Sequence, residues 1–256
     1  MKVTLIDYTG CGHHDVLHAA RILVFTKNTR LTMDEAQLTA IQMMSKAQIL
    51  KELEYMANTI PSSWEFVDYT FAVEGVTRAY THQQVRTRTA SYAQQSMRVN
   101  DMGYFQYRVP PRLSPPTPDK KDNVDWKQQE RYNIYARTMD YINRNYGSLI
   151  SMGVAEEDAR GILPTNILTN IVCKFNLRVL ADLVKSREGG RTQDEYRDVV
   201  RLMGDEVLRV HPWASLFLYP KGRDYWKELE DAIEALVPNM KIRAPVMKII
   251  DKMRKS

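Results

Sequence analysis

The sequence predicts an α+β fold: a single domain over residues 1–256, with a mixed, largely antiparallel sheet flanked by long helices and a helical C-terminal extension from about residue 215. Three observations carry that class. Short alternating segments and long amphipathic segments both occur. They do not follow one another in the regular strand–helix–strand order of a doubly wound sheet. The chain is long enough, at 256 residues with 44% hydrophobic, to bury one large core.

Lys2 to Tyr8 alternates and is β-rich, which makes it an opening strand. Asp15 can N-cap a helix whose apolar positions are Val16, Ala19, Ala20, Leu23 and Val24. Met33 to Ala57 reads as one long amphipathic helix through Leu38, Ile41, Met44, Ile49, Leu53 and Met56, its methionines serving as core filler. NTIPSSW (58–64) breaks it, and EFVDYTFAV (65–73) follows as a strand. Gly75 to Thr89 reads as a helix running into a loop. GYFQYRVPPRL (103–113) suggests a short strand entering a proline-rich turn, and residues 112–123 form a loop. Asp125 to Ile150 is a second long helix, rich in tyrosine, and Ala155 to Gly161 is a short one. ILTNIVCKF (167–175) is the clearest strand. Asn176 can cap a helix to Arg187 with Leu177, Leu180, Leu183 and Val184 on its apolar face, ended by EGG (188–190). Gln193 to Val210 is another helix, and the C-terminal third is helical to the end.

Composition narrows the function. No apolar run reaches the roughly 18–20 residues that span a bilayer, and the N-terminus lacks an apolar leader core, so no membrane partner is expected. Cys11 and Cys173 cannot form a disulfide framework, which points to a cytoplasmic protein. A net charge of +5 suits an anionic ligand. Neither a P-loop nor a G-x-G-x-x-G turn is present. Cys11, His13, His14 and His18 lie close together, but no second ligand pair follows and no metal is expected. Cys173 points inward on its strand and behaves as a small hydrophobe rather than a nucleophile.

VRTRTASYAQQSMR (85–98) holds Arg86, Arg88 and Arg98 with no lysine and no acid. Guanidinium groups suit phosphate or an ionised ring. Arg86 and Arg88, two apart, point in different directions on a helix and would serve two ligands or two parts of one. Ser91, Tyr92, Ser96 and the backbone amides of 91–98 could complete a phosphate cradle. A solvated helix end fits the composition equally. Arg178, Asp182 and Arg187 form a second cluster, in which Arg178 and Asp182 have ordinary salt-bridge spacing and the polar helix start offers a cofactor contact.

Taken together, these segments resemble the flavin-dependent thymidylate synthases. RTRTASYAQQSMR matches the family's R-H-R-x7-S with a further Arg through Arg86, Arg88, Ser96 and Arg98. ARGILPTNILTNIVCKFNLRVLADLVKSR (159–187) matches a second family segment through Arg160, Leu163, Pro164, Asn176, Arg178, Leu180 and Arg187. AAR (19–21), TFAV (70–73) and Gln193 also fit. The resemblance implies a flavin-dependent thymidylate synthase-like domain that carries FAD and converts dUMP to dTMP. Methylenetetrahydrofolate would be the carbon donor and NADPH the reductant, in a homotetramer with shared sites and no nucleic acid partner. It further implies that Ser62, Arg86, Thr87, Arg88, Asn176, Arg178 and Asp182 touch FAD. The nucleotide would be held by Gln83, Arg86, Gln94, Gln95, Ser96, Met97, Arg98, Arg160 and Arg187. Arg187 would stabilise a ring ionised at N3, and Ser96 would position the nucleotide.

The departures fall on ligand-facing positions. The central His of R-H-R is Thr87, Ile60 and Phe66 stand where histidines would be, Gln94 replaces an acid, and Asp182 replaces an Asn. Two alternatives therefore stay open beside dUMP methylation. One is the same scaffold acting on dCMP or yielding a 5-hydroxymethylpyrimidine nucleotide. The other is a non-catalytic nucleotide or nucleic-acid binder.

Overall fold

A computed structural model describes residues 1–28, 34–98, 102, 103, 105–117, 125–187, 193–220, 233, 245–247 and 249. Met1–Leu218 form one compact unit and Tyr219–Ser256 a second. The elements of the first unit are β1 (Lys2–Tyr8), α1 (His18–Asn28), α2 (Glu35–Met43), α3 (Lys46–Thr59), β2 (Asp68–Thr77), α4 (Arg78–Gln84), β3 (Ser91–Gln94), α5 (Trp126–Ser151), α6 (Glu156–Ala159), β4 (Leu168–Asn176), α7 (Leu177–Arg187), α8 (Asp194–Val210) and α9 (Ser215–Leu218). The fold is α+β, and the four strands lie in the order β1-β2-β4-β3 with every pairing antiparallel. Of the expected C-terminal extension, 233, 245–247 and 249 are helical and the remainder beyond Pro220 lies outside the described residues, as do Met33 and Glu188 to Gly190.

One face of the sheet is the core. Tyr69, Phe71 and Val73 of β2 and Ile171, Cys173 and Phe175 of β4 are buried, and α7 and α8 pack on the sheet. Helix α7 buries Leu177, Leu180, Leu183 and Val184, and α8 buries Tyr196, Val199, Val200, Met203 and Val207. At about 25 cal/mol per Å² of apolar surface, each such side chain contributes roughly 1.5–3 kcal/mol. The opposite face is less covered among the described residues. Thr4, Ala72, Val172 and Ala93 are in register across all four strands, and Val172 and Ala93 are exposed.

Several expected elements differ. The long helix over 33–57 is two helices. Ser45 starts the second with a capping box, accepting from Gln48 N while the Gln48 side chain accepts from Ser45 N, and Met44 is extended at ψ 133. Val16 precedes α1 and is exposed, since Asp15 bonds Leu17 N and Arg21 rather than opening the helix at 16. Glu65 and Phe66 belong to a 3₁₀ turn (Pro61–Phe66), so the second strand starts at Asp68. That strand also runs on through Gly75, which the sequence places in a helix. Gly75 sits at φ +65 where the register against β4 shifts between Val73 and Val76, a bulge that favours glycine. The strand expected within 103–113 shrinks to a single bridge between Tyr107 and Ile167.

His211, just after α8, sits in an aromatic box. Its Nδ1 lies 3.0 Å from the Tyr69 hydroxyl, Tyr8 meets it edge-on at 5.2 Å, and Trp213 stacks on it at 4.9 Å. Burial pushes its imidazole down to about 4 from an ordinary 6.5. A depressed histidine binds fewer protons folded than unfolded, so its share of stability is complete above about pH 6.5 and is lost as pH falls toward 4. That share is about 3 kcal/mol. His211→Asn is expected to flatten the fall in melting temperature between pH 6.5 and 4.5, measured by calorimetry; an unchanged slope would count against it.

Candidate active site

The segment 77–98 is held by the sheet edge. Thr77 caps α4 by accepting from Tyr80 N at 3.0 Å. At the other end Arg86 N donates to Gln83 O and Thr87 N to Gln84 O, which turns the chain through the R-T-R motif. Tyr92 on β3 pins this turn, its hydroxyl lying 2.9 Å from both Gln84 O and Thr87 O. Burial pushes the Tyr92 phenol up to about 12, which keeps it a donor. Arg86 and Arg88 are exposed and Thr87 is half-buried. Of the amides expected to cradle a phosphate over 91–98, those of Ser91–Gln94 lie on the edge strand paired with β4, Gln95 N donates to Asn170 O, and Arg98 N bonds Ser96 Oγ.

Arg88 and Asn176 come together. They line a depression of ≈ 250 Å³ with Asp68, Ser91 and Lys174. Asn176 caps α7, its Oδ1 accepting from Val179 N at 2.9 Å, and Lys174 pairs with Asp68 at 2.7 Å. Arg178 does not pair with Asp182. Its guanidinium reaches Glu65 on the 3₁₀ turn at 2.6 Å, and Asp182 is exposed one turn along. Ser62 lies on that same turn, which packs against α7.

The remaining residues form two groups at the two ends of α4, which at 1.5 Å per residue is about 10 Å long. At the C-terminal end, Arg187 lies over the ring of Tyr196 at 4.4 Å, and the Gln83 side chain bonds that of Gln193. Burial raises the Tyr196 phenol, while the adjacent Arg187 and Thr87 pull it down. At the N-terminal end, Arg78 Nη2 donates to Gln95 O at 2.7 Å, Arg98 pairs with Glu157 at 3.2 Å, Arg98 N bonds Ser96 Oγ, and Arg160 Nε donates to Glu157 O. Met97 is half-buried beside them in sequence. Gln94 links the groups, its Nε2 donating to Thr81 Oγ1 at 2.7 Å.

Sequence reasoning missed Arg78 and Tyr196. Arg78 is half-buried, its Nε is buried without a hydrogen-bond partner, and burial and the nearby Arg160 both lower its pKa. Two guanidiniums that destabilise each other and leave a donor unmet fit a phosphate between them. Arg187 Nε and the Tyr196 hydroxyl are likewise buried without partners. Neither residue belongs to a motif, and the contacts of Arg78 with Arg160 and of Tyr196 with Tyr80 join distant parts of the chain.

Elsewhere, the His13 and His18 rings stack at 3.8 Å. Among the described residues no group of three or more His, Cys, Asp or Glu could hold a metal, and no helix is long and apolar enough to cross a membrane. Cys173 is buried and its thiol is pushed up to about 12, so it supplies no thiolate.

Guanidiniums on an antiparallel sheet edge and its flanking helices, without a P-loop or Rossmann turn, define an α+β protein for phosphorylated ligands. Comparison with known proteins makes the class specific. A family model described as "Thymidylate synthase complementing protein" matches residues 4–213. The chain is 36% identical over 224 residues to the flavin-dependent thymidylate synthase of Clostridium tetani, covering 86% of each protein. It is 39% identical to that of Sulfurisphaera tokodaii and 34% to that of Sulfolobus acidocaldarius, in each case over 86% of this chain and over 77% and 76% of the relatives. The chain belongs to the flavin-dependent thymidylate synthase family.

Proposed function

We propose that this enzyme methylates C5 of dUMP to give dTMP, with FAD as cofactor, methylenetetrahydrofolate as carbon donor and NADPH as reductant. The observation that carries this reading is the pair of cationic groups toward the two ends of α4, itself about 10 Å long, one fit for a phosphate and one fit for a ring. Arg78, Ser96, Arg98 and Arg160 would take the phosphate, with Gln95 and Met97 beside them. Arg187, with Gln83, Gln94 and Arg86 near it, would take the pyrimidine and stabilise charge at N3. Bound FAD would supply the hydride chemistry. Arg88 and Asn176 fit a polar part of it, since their depression offers a guanidinium and an amide, and Arg178, Asp182, Ser62 and Thr87 would take the rest. Its ≈ 250 Å³ is too small for a whole FAD, which suits a site completed by other subunits. A homotetramer is also supported by the exposed Trp126, Ile134 and Tyr141 on one side of α5, and by the exposed Val172 and Ala93 on the sheet.

A second reading, dCMP as substrate or a hydroxymethyl product, has one observation in its favour. Thr81 Oγ1 donates to Arg78 O, so it must accept from Gln94 Nε2, and this leaves Gln94 Oε1 as an acceptor able to meet a 4-amino group. Anaerobic incubation with FAD, NADPH and methylenetetrahydrofolate, offering dUMP and dCMP in parallel, separates the readings by product mass. A methyl on dUMP is expected. Modified dCMP or a hydroxymethyl product would favour the second reading, and a colourless protein without product would leave only a nucleotide binder.

A further inference from the structure

Arg187 ends α7 and Tyr196 lies in the first turn of α8, and their side chains meet. Tyr196 is fully buried, and the Arg187 guanidinium rests over its ring at 4.4 Å. The ring is itself fixed. It meets Tyr80 edge to face at 5.2 Å and 85°, and Tyr80 donates its hydroxyl to Gln84 Oε1 at 3.1 Å. Gln84 O in turn receives Tyr92, which also holds Thr87 O. A free arginine side chain has about 2 kcal/mol of rotamer entropy to lose on ordering. Here the aromatic stack has already restricted it before any ligand arrives. The Tyr196 hydroxyl lies close enough to the Arg187 guanidinium and the Thr87 side chain for both to lower its pKa, but it makes no well-formed hydrogen bond. Arg187 Nε and this hydroxyl are therefore two unmet polar groups at one spot, and Arg187 Nε can only donate. An acceptor is what this spot lacks.

We propose that Tyr196 is the positioning residue for Arg187: its ring sets the guanidinium plane that faces the pyrimidine, and its hydroxyl lies beside Thr87, where the R-H-R motif lacks its histidine. This rests on the reading of Arg187 as the base contact. It separates the ring end of the nucleotide from the phosphate end, because the ring contacts of Tyr196 are to Arg187 and Tyr80.

The test compares binding of dUMP and of deoxyribose 5-phosphate to the flavin-loaded full chain by calorimetry. Tyr196→Phe keeps the ring and should bind dUMP within about threefold of the parent, whereas Tyr196→Leu should bind it about tenfold more weakly. Deoxyribose 5-phosphate affinity should not move in either. Replacing Tyr196 with trifluorophenylalanine keeps the shape of phenylalanine and weakens the ring's attraction for a cation, so it reports even if leucine prevents folding. It should weaken dUMP alone relative to Tyr196→Phe. Equal dUMP affinity for the fluorinated and plain rings, or parallel loss of both ligands, would overturn the proposal. A parent enzyme that binds dUMP no better than deoxyribose 5-phosphate would overturn the base-contact reading, and this proposal with it.

Discussion

Arg187→Gln lowers the turnover of dUMP by about 10²–10³-fold, the effect typical of removing one preorganised donor from developing charge. Binding of dUMP weakens much less, because the phosphate group at the far end of α4 is untouched. The contrast with Arg160→Gln is the informative part. A phosphate carries the same charge in the ground and transition states, so loss of Arg160 removes uniform binding and raises KM with kcat nearly unchanged. Arg187→Lys restores turnover only in part, since a point ammonium cannot lie flat on Tyr196 and present a planar fork. Single-turnover product formation with enzyme saturated in dUMP checks this. If Arg187→Gln raised KM and left the single-turnover rate intact, Arg187 would be a binding contact alone.

Elements with a clean period were legible in the sequence. The strand at β4 alternates Thr169, Ile171, Cys173 and Phe175 inward, and α7 buries the four apolar residues its spacing marks. The same reasoning merged α2 with α3, because the hydrophobic period runs across Met44 while the Ser45–Gln48 capping box breaks the backbone. Strand β3 escaped notice since SYAQ is short and polar, and it exists by pairing with β4 rather than by propensity. The motif arginines stood out in the sequence as candidate anion ligands. Their partners were not. Arg178 takes Glu65, 113 positions away, over the Asp182 one turn along. Tyr196 and Arg78 carry no signature of their own and emerge only once α4, α7 and α8 are packed together.

Glu195→Ala should be the most destabilising of these changes, at about 3–5 kcal/mol. The carboxylate is 2% exposed and accepts from Thr77 N at 2.9 Å, from Thr77 Oγ1 at 2.6 Å and from Arg108 Nη1 at 3.2 Å. Magnitudes decide which of these matters most. Arg108 is 28% exposed, so water replaces much of what it loses. Thr77 is buried, and its amide and hydroxyl would be left unmet at about 1–3 kcal/mol each. Thr77 also caps α4, so the loss passes directly to the helix that holds Gln83, Gln84 and Thr81. At about 2–4 °C per kcal/mol for a domain of this size, the melting temperature falls by roughly 10 °C. Glu195→Gln should fall between the two, because one amide oxygen can still accept from Thr77 while the amide nitrogen faces a donor. Calorimetry of the three proteins orders them. A drop under about 1 kcal/mol for alanine would mean that solvent reaches Thr77 and that α4 does not depend on this carboxylate.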